Sequence, residues 1–260
     1  MRRKLAVATG VLALVAAAGG GAAAAVTLAD SPASGQQVTV AAPQHARPGQ
    51  RPLLAVVGAS VSAGVGAGQR DHAWPEDLAR IMGWRLAVSA DPGAGYVNPG
   101  AGHRGPFGQL AARLHLARLD PRVVIIQGGH DDIGRPLPLI RSRVESLIST
   151  IRHQDPHGRL AVLTVFPRGR PSPAALATDQ AIVAAARRAD PAVLVFDPIA
   201  SHWQFPRIGD HLHPTPAGHE WIARHLAAGL RDPGTLDLAT APGNPKPVSS
   251  LNVQHRLDVR

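Results

Sequence analysis

Short apolar runs recur along this chain at Leu53–Val57, Arg85–Val88, Val123–Ile126, Leu160–Val165 and Val193–Phe196. Each has the length of a strand, and an apolar run without alternation suits a strand buried on both faces. Between the runs, helical patterns extend over Trp74–Met82, Gln109–Leu119, Leu137–Arg152 and Pro173–Arg188, and Ala217–Leu230 follows the last run. Strands alternating with helices build a parallel sheet covered on both faces, so the predicted fold class is α/β with five parallel strands. Reactive groups in such a sheet gather at the carboxyl ends of the strands.

The flanks break this pattern. Residues 1–30 open with Met1-Arg2-Arg3-Lys4, continue through an apolar run from Leu5 to Leu28 and end in small residues. A positive start, an apolar middle and small residues at a cut site mark a secretory signal peptide. The run is also long enough to stay as a single anchor, but Gly19-Gly20-Gly21 and its many alanines make it weakly hydrophobic, which favours cleavage. Residues 31–52 read as an extended linker, 53–231 as the folded domain, and 232–260, rich in Pro and Asn, as an extended tail. The predicted location is therefore secreted or at the cell envelope.

Composition narrows the chemistry. In 260 residues, 45% apolar and 17% charged, there is ample material for a core. Cysteine is absent, which excludes disulfides, thiol nucleophiles and thiolate metal sites, so an exported chain must be stabilised by packing. The net charge of +9 is scattered, without interleaved aromatics, which argues against nucleic acid and leaves weak attraction to an anionic envelope.

Candidate chemistry sits where the strands end. The first run leads into Gly58-Ala59-Ser60-Val61-Ser62-Ala63-Gly64, a tight turn that can expose the Ser60 hydroxyl beside backbone N–H groups. A phosphate loop is disfavoured there, because no Gly-Lys-Ser/Thr follows and the glycine spacing misses the dinucleotide pattern. The second ends at Asp91-Pro92-Gly93-Ala94-Gly95-Tyr96, where Gly93 N–H can face a developing oxyanion. After the third come Gly128-Gly129-His130-Asp131-Asp132, and after the fifth Asp210-His211-Leu212-His213-Pro214. An acid three residues before an imidazole can hold its tautomer and direction for proton transfer. Ordinary uses exist for both: Ser60 as a helix cap, and Asp210 as a cap beside a surface histidine. Trp203, Phe205 and Tyr96 are candidates to line an acyl pocket. A rival reading gathers His202, His211, His213, Asp210 and Asp131-Asp132 around zinc, but gives Ser60 and the glycine turns no role. His219 and the remaining histidines read as surface or packing residues, and Trp74, Trp84 and Trp221 as core or interface groups.

Taken in order, these blocks resemble the SGNH (GDSL-like) hydrolases over about residues 53–231. The family's Gly-Asp-Ser block, with a Gly four residues on, matches Gly58-Ala59-Ser60 and Gly64. Its second-block glycine falls on Gly93, with Gly95 the alternative. Its Gly-x-Asn-Asp falls on Gly129-His130-Asp131-Asp132, and its Asp-x-x-His-Pro on Asp210, His213 and Pro214. The resemblance implies a flavodoxin-like three-layer α/β/α fold and an esterase or lipase acting on small-molecule, lipid or carbohydrate esters without a cofactor or metal. It also implies that Ser60, His213 and Asp210 are catalytic, with Ser60, Gly93 and Asp131 at the oxyanion hole. Two positions depart from the family. Ala59 replaces Asp and is expected to be tolerated. Asp131 replaces the Asn whose amide donates to the oxyanion; an ionised carboxylate only accepts, and a lost donor costs about 3–4 kcal/mol. That change motivates an alternative, a binding module or weak acyltransferase on the same fold.

Overall fold

A computed structural model describes residues 50–232. The expected signal peptide, nearly all of the linker and the tail beyond Asp232 lie outside the described residues. Five strands, β1 (Leu53–Gly58), β2 (Arg85–Ala90), β3 (Val123–Gln127), β4 (Arg159–Leu163) and β5 (Leu194–Phe196), pair in parallel in the order β2-β1-β3-β4-β5. This is the flavodoxin-like order, in which the direction of strand addition reverses between β1 and β3. The register runs through Val56↔Val88, Val56↔Ile125, Ile125↔Ala161 and Val162↔Val195.

Strand side chains alternate between two helical layers. Leu54, Val56, Val123, Ile125, Ala161, Leu163 and Phe196 pack toward α1 (Trp74–Met82) and α6 (Pro216–Arg231). Ala55, Val57, Val124, Ile126, Leu160, Val162 and Val195 pack toward α2 (Phe107–Ala112), α3 (Leu116–Leu119), α4 (Leu137–Gln154) and α5 (Pro173–Ala189). Every residue of β1 and β3 is buried, as their apolar runs require, whereas β2, on one edge, is only partly covered. Among the described residues no helix is long and apolar enough to cross a membrane.

One expected element is broken. The helix read over Gln109–Leu119 divides into α2 and α3, because His115 takes a left-handed φ of 50°. A continuous helix from Leu110 through Leu114 would carry Leu116 off the buried face; the break returns Leu116 to the core and packs Leu119 against it.

Candidate active site

The nucleophile candidate is pinned between β1 and β3. A Cβ on Gly58 would meet Ser62 Oγ at 2.2 Å, so only glycine lets the chain fold back so sharply at the end of β1. The chain then turns, with Ala63 N–H donating to Ala59 O at 2.9 Å and Val65 N–H to Ser60 O at 3.0 Å. Gln127, the last residue of β3, fastens this turn: its Oε1 accepts from Ser62 N–H at 3.2 Å and from Ser62 Oγ at 2.7 Å. Ser60 is thereby held half-buried at the point where strand order reverses.

The imidazole arrives from the far end of the chain. Between β5 and α6, an isolated bridge between Arg207 and Pro214 closes a loop in which Asp210 Oδ1 accepts from Leu212 N–H at 2.9 Å and His213 N–H at 3.0 Å. Its Oδ2 lies 2.5 Å from His213 Nδ1. A carboxylate only accepts, so Nδ1 carries the proton and Nε2 is left to accept. Ser60 Oγ lies 2.8 Å from that Nε2. Asp210 is held well below the ordinary carboxylate range, first by its bond to His213, against the opposing effect of burial, and then by the two N–H groups. Thr215 caps α6 by accepting from Gly218 N–H, and Pro216 opens the helix.

Two contacts bind the serine and histidine loops together. Gly66, at φ 89°, approaches the Pro214 carbonyl so closely that a Cβ would lie 2.1 Å from it. His219, fully buried on α6, accepts from Trp74 N–H at Nδ1 (3.2 Å) and therefore donates from Nε2 to Val65 O (3.1 Å). Burial lowers its pKa, consistent with the neutral ring that these bonds require. His219, read from the sequence as a surface or packing residue, is thus a tether. The signal was its phase with Ile222, Ala223 and Leu226 on the apolar face of α6.

The third side of the cleft forms where β3 ends. His130–Asp132 make a 3-10 turn, and the fully buried Asp132 accepts from Tyr96 N–H (2.7 Å), Val97 N–H (3.0 Å) and Asn98 N–H (3.1 Å). This clamp needs Gly95, where a Cβ would lie 2.3 Å from Asp132 Oδ2, and Gly95 N–H is itself taken by Asn98 O at 2.9 Å. Gly93 differs. It turns at φ 78°, and no acceptor among the described residues takes its N–H or that of Ser60. Ser60, Gly93, His130, Asp131, Arg168 and His213 share one cleft of about 330 Å³. His130 donates from Nδ1 to Phe166 O at 3.0 Å, and burial lowers its pKa. Burial raises that of Asp131, with His130 opposing and Asp132 adding to the rise.

Two expectations about pocket residues change. Tyr96 does not line the cleft: its ring is 2% exposed and packs edge-on against Phe107 at 5.0 Å, because the Asp132 clamp on its backbone turns the side chain inward. Trp203 and Phe205 line a neighbouring cavity, and Trp203 is largely buried against Phe166, Phe196 and Trp221. The zinc alternative fails on placement. Among the described residues no three His, Asp or Glu side chains gather as ligands, and Asp210 and His213 face each other instead.

A parallel α/β sheet with a serine, an imidazole and a carboxylate linked in series at its carboxyl edge is the architecture of a serine hydrolase. The GDSL-like lipase/acylhydrolase family model matches residues 56–221. GDSL lipase Rv0518 of Mycobacterium tuberculosis is 32% identical over 187 residues, covering 67% of this chain and 79% of that protein. The chain belongs to the GDSL-like lipase/acylhydrolase family and is a serine hydrolase acting on esters. Solved structures share its fold. A family two carbohydrate esterase from Cellvibrio japonicus superposes with a TM-score of 0.58 at 15% identity, over 71% of this chain and 62% of that one. The psychrotrophic esterase EstA from Pseudoalteromonas sp. gives 0.54 at 15% identity, over 70% and 98%.

Proposed function

We infer that this protein hydrolyses carboxylic esters by transferring the acyl group first to Ser60 and then to water. Ser60 Oγ attacks the carbonyl carbon while its proton passes to His213 Nε2. Collapse of the tetrahedral intermediate expels the alcohol, which takes that proton and leaves an acyl-serine. Water then gives a proton to His213 and its oxygen to the acyl carbon, and the carboxylic acid departs as Ser60 regains its hydrogen. Asp210 orients the ring and offsets the charge of the transient imidazolium.

The N–H groups of Ser60 and Gly93 receive the oxyanion. Asp131 stands where a third donor belongs, and donates only when protonated. It also supports a second reading, in which the cleft binds an ester or passes the acyl group to another alcohol.

The observation that carries the hydrolase reading is the 2.8 Å approach of Ser60 Oγ to a histidine already paired with a carboxylate. An organophosphonate is expected to label Ser60, and Ser60→Ala to abolish labelling and lower kcat on a nitrophenyl ester by roughly 10⁴-fold or more. Turnover that survives Ser60→Ala would overturn the mechanism; labelling without hydrolysis would favour acyl transfer. Small-molecule, lipid and carbohydrate esters are the substrate classes, and the signal-peptide pattern of residues 1–30 supports a reaction outside the cytoplasm. Mass spectrometry of protein recovered from the medium is expected to show a mature chain lacking that segment.

A further inference from the structure

Beside the cleft lies a larger cavity of about 510 Å³. The two share a wall, since Gly169 and His211 line the larger and their chain neighbours Arg168 and Leu212 line the smaller. Arg170, Arg207, His202 and His211 border the larger cavity, and among the described residues no aspartate or glutamate does.

Arg207 is built into that wall. Its Nη1 donates to Pro167 O and to His211 O, and its guanidinium stacks 4.5 Å from the centre of the Phe205 ring. Nη1 is therefore spent on the fold, whereas Nε and Nη2 have no protein partner among the described residues. Asp210 is the carboxylate whose charge acts on Arg207, yet it stands beyond ion-pair distance and is committed to His213. Arg168 and Arg170 likewise form no ion pair among the described residues. His202 and His211 border the same space with left-handed φ values of 50° and 60°, a conformation costly outside glycine and concentrated at functional sites.

A guanidinium held in place with a free edge, and flanked by further cations without a counter-charge, is suited to a carboxylate or phosphate. We propose that this cavity receives an anionic group, a carboxylate or a phosphate, carried by the ester whose carbonyl is attacked at Ser60. The proposal rests on the hydrolase reading and narrows its substrate class to acidic esters. The positive rim would draw such a substrate to the cleft, and the fork of Arg207 would fix its register.

Matched esters test it. With the charge on the acyl part, nitrophenyl hemiglutarate is compared with nitrophenyl pentanoate. With the charge on the alcohol part, para-acetoxybenzoate and para-acetoxyphenyl phosphate are compared with para-acetoxybenzamide. The anionic member of at least one series is expected to have the higher kcat/KM by about tenfold, the size of one charge-assisted hydrogen bond. That ratio should fall toward one in Arg170→Gln, in Arg207→Gln and at high salt. Because Arg207→Gln also removes two bonds to the loops, the exposed Arg170 is the deciding position. Equal kcat/KM within every series, or a ratio that Arg170→Gln leaves unchanged, would refute the anionic site while leaving ester hydrolysis standing. Should no ester be turned over, calorimetry on the Ser60→Ala protein still decides: in at least one series the anionic ester must bind more tightly than its neutral partner and lose that advantage in Arg170→Gln.

Discussion

In the proposed reaction, one oxygen in place of a nitrogen at Asp131 governs how well the cleft holds an oxyanion. Restoring a donor with Asp131→Asn is expected to raise kcat at neutral pH by about tenfold or more, given that one such donor contributes roughly 10²–10³-fold. The gain should be largest at alkaline pH and shrink on acidification, as the wild-type carboxyl takes up a proton and becomes a donor itself. A loss of activity would instead mean that the carboxylate has a specific task. Stability follows the same sign. Since burial raises the pKa of Asp131, its folded state is favoured while the group is neutral and weakened as pH rises through that raised value, so the amide should gain most above it. Tyr96 marks the limit of residue-level reading. Beside a glycine turn, an aromatic ring can line a pocket or fill the core, and here the inward direction is set by Asp132, 36 positions away.

Among the elements, α1 begins and ends where its apolar period does, at Trp74 and Met82, whereas the span Gln109–Leu119 divides. Periodicity describes a helix well when one face is buried throughout. It fails where Leu116 reaches the core only after a left-handed step at His115. On α6 the period included His219 in the buried stripe, but the partners that give this ring its purpose, Trp74 N–H and Val65 O, come from another loop. His219→Ala would leave the buried Trp74 N–H and the partly buried Val65 O without a partner. At about 1–3 kcal/mol for each, denaturant unfolding should show a loss of about 2–6 kcal/mol. The melting of α6 away from the serine loop should also lower kcat/KM. A variant of unchanged stability would show that water replaces the ring without penalty.

Across the whole molecule, one acidic pair, Asp179 and Asp197, ties the helical layer to the ends of the strands. Asp179 on α5 accepts from Val165 N–H at 3.2 Å, and Asp197, just beyond β5, accepts from Ile199 and Ala200 N–H where the chain leaves for the histidine loop. Burial, and then the charge of Asp197, push the Asp179 carboxyl up to about 7. Below about 3.9, both folded and unfolded chains hold that proton; between there and neutrality only the folded chain does, so stability falls as pH rises. Asp179→Asn keeps an oxygen for Val165 N–H and removes the charge. Its melting temperature relative to wild type should therefore climb from about pH 4 to about pH 8, and a constant difference would contradict the pairing. The sequence alone determined the α/β alternation, the five apolar strand runs and the serine, glycine and acid–imidazole blocks that follow them, because hydrophobic period and turn chemistry are local properties. Tertiary structure alone decided that Ser60 and His213, 153 positions apart, meet at the reversal between β1 and β3. It alone also left the Gly93 N–H rather than that of Gly95 available, turned Tyr96 inward and set unpaired arginines beside the cleft. Each of those outcomes depends on strand order and on close approaches between distant loops, which no window of neighbouring residues contains.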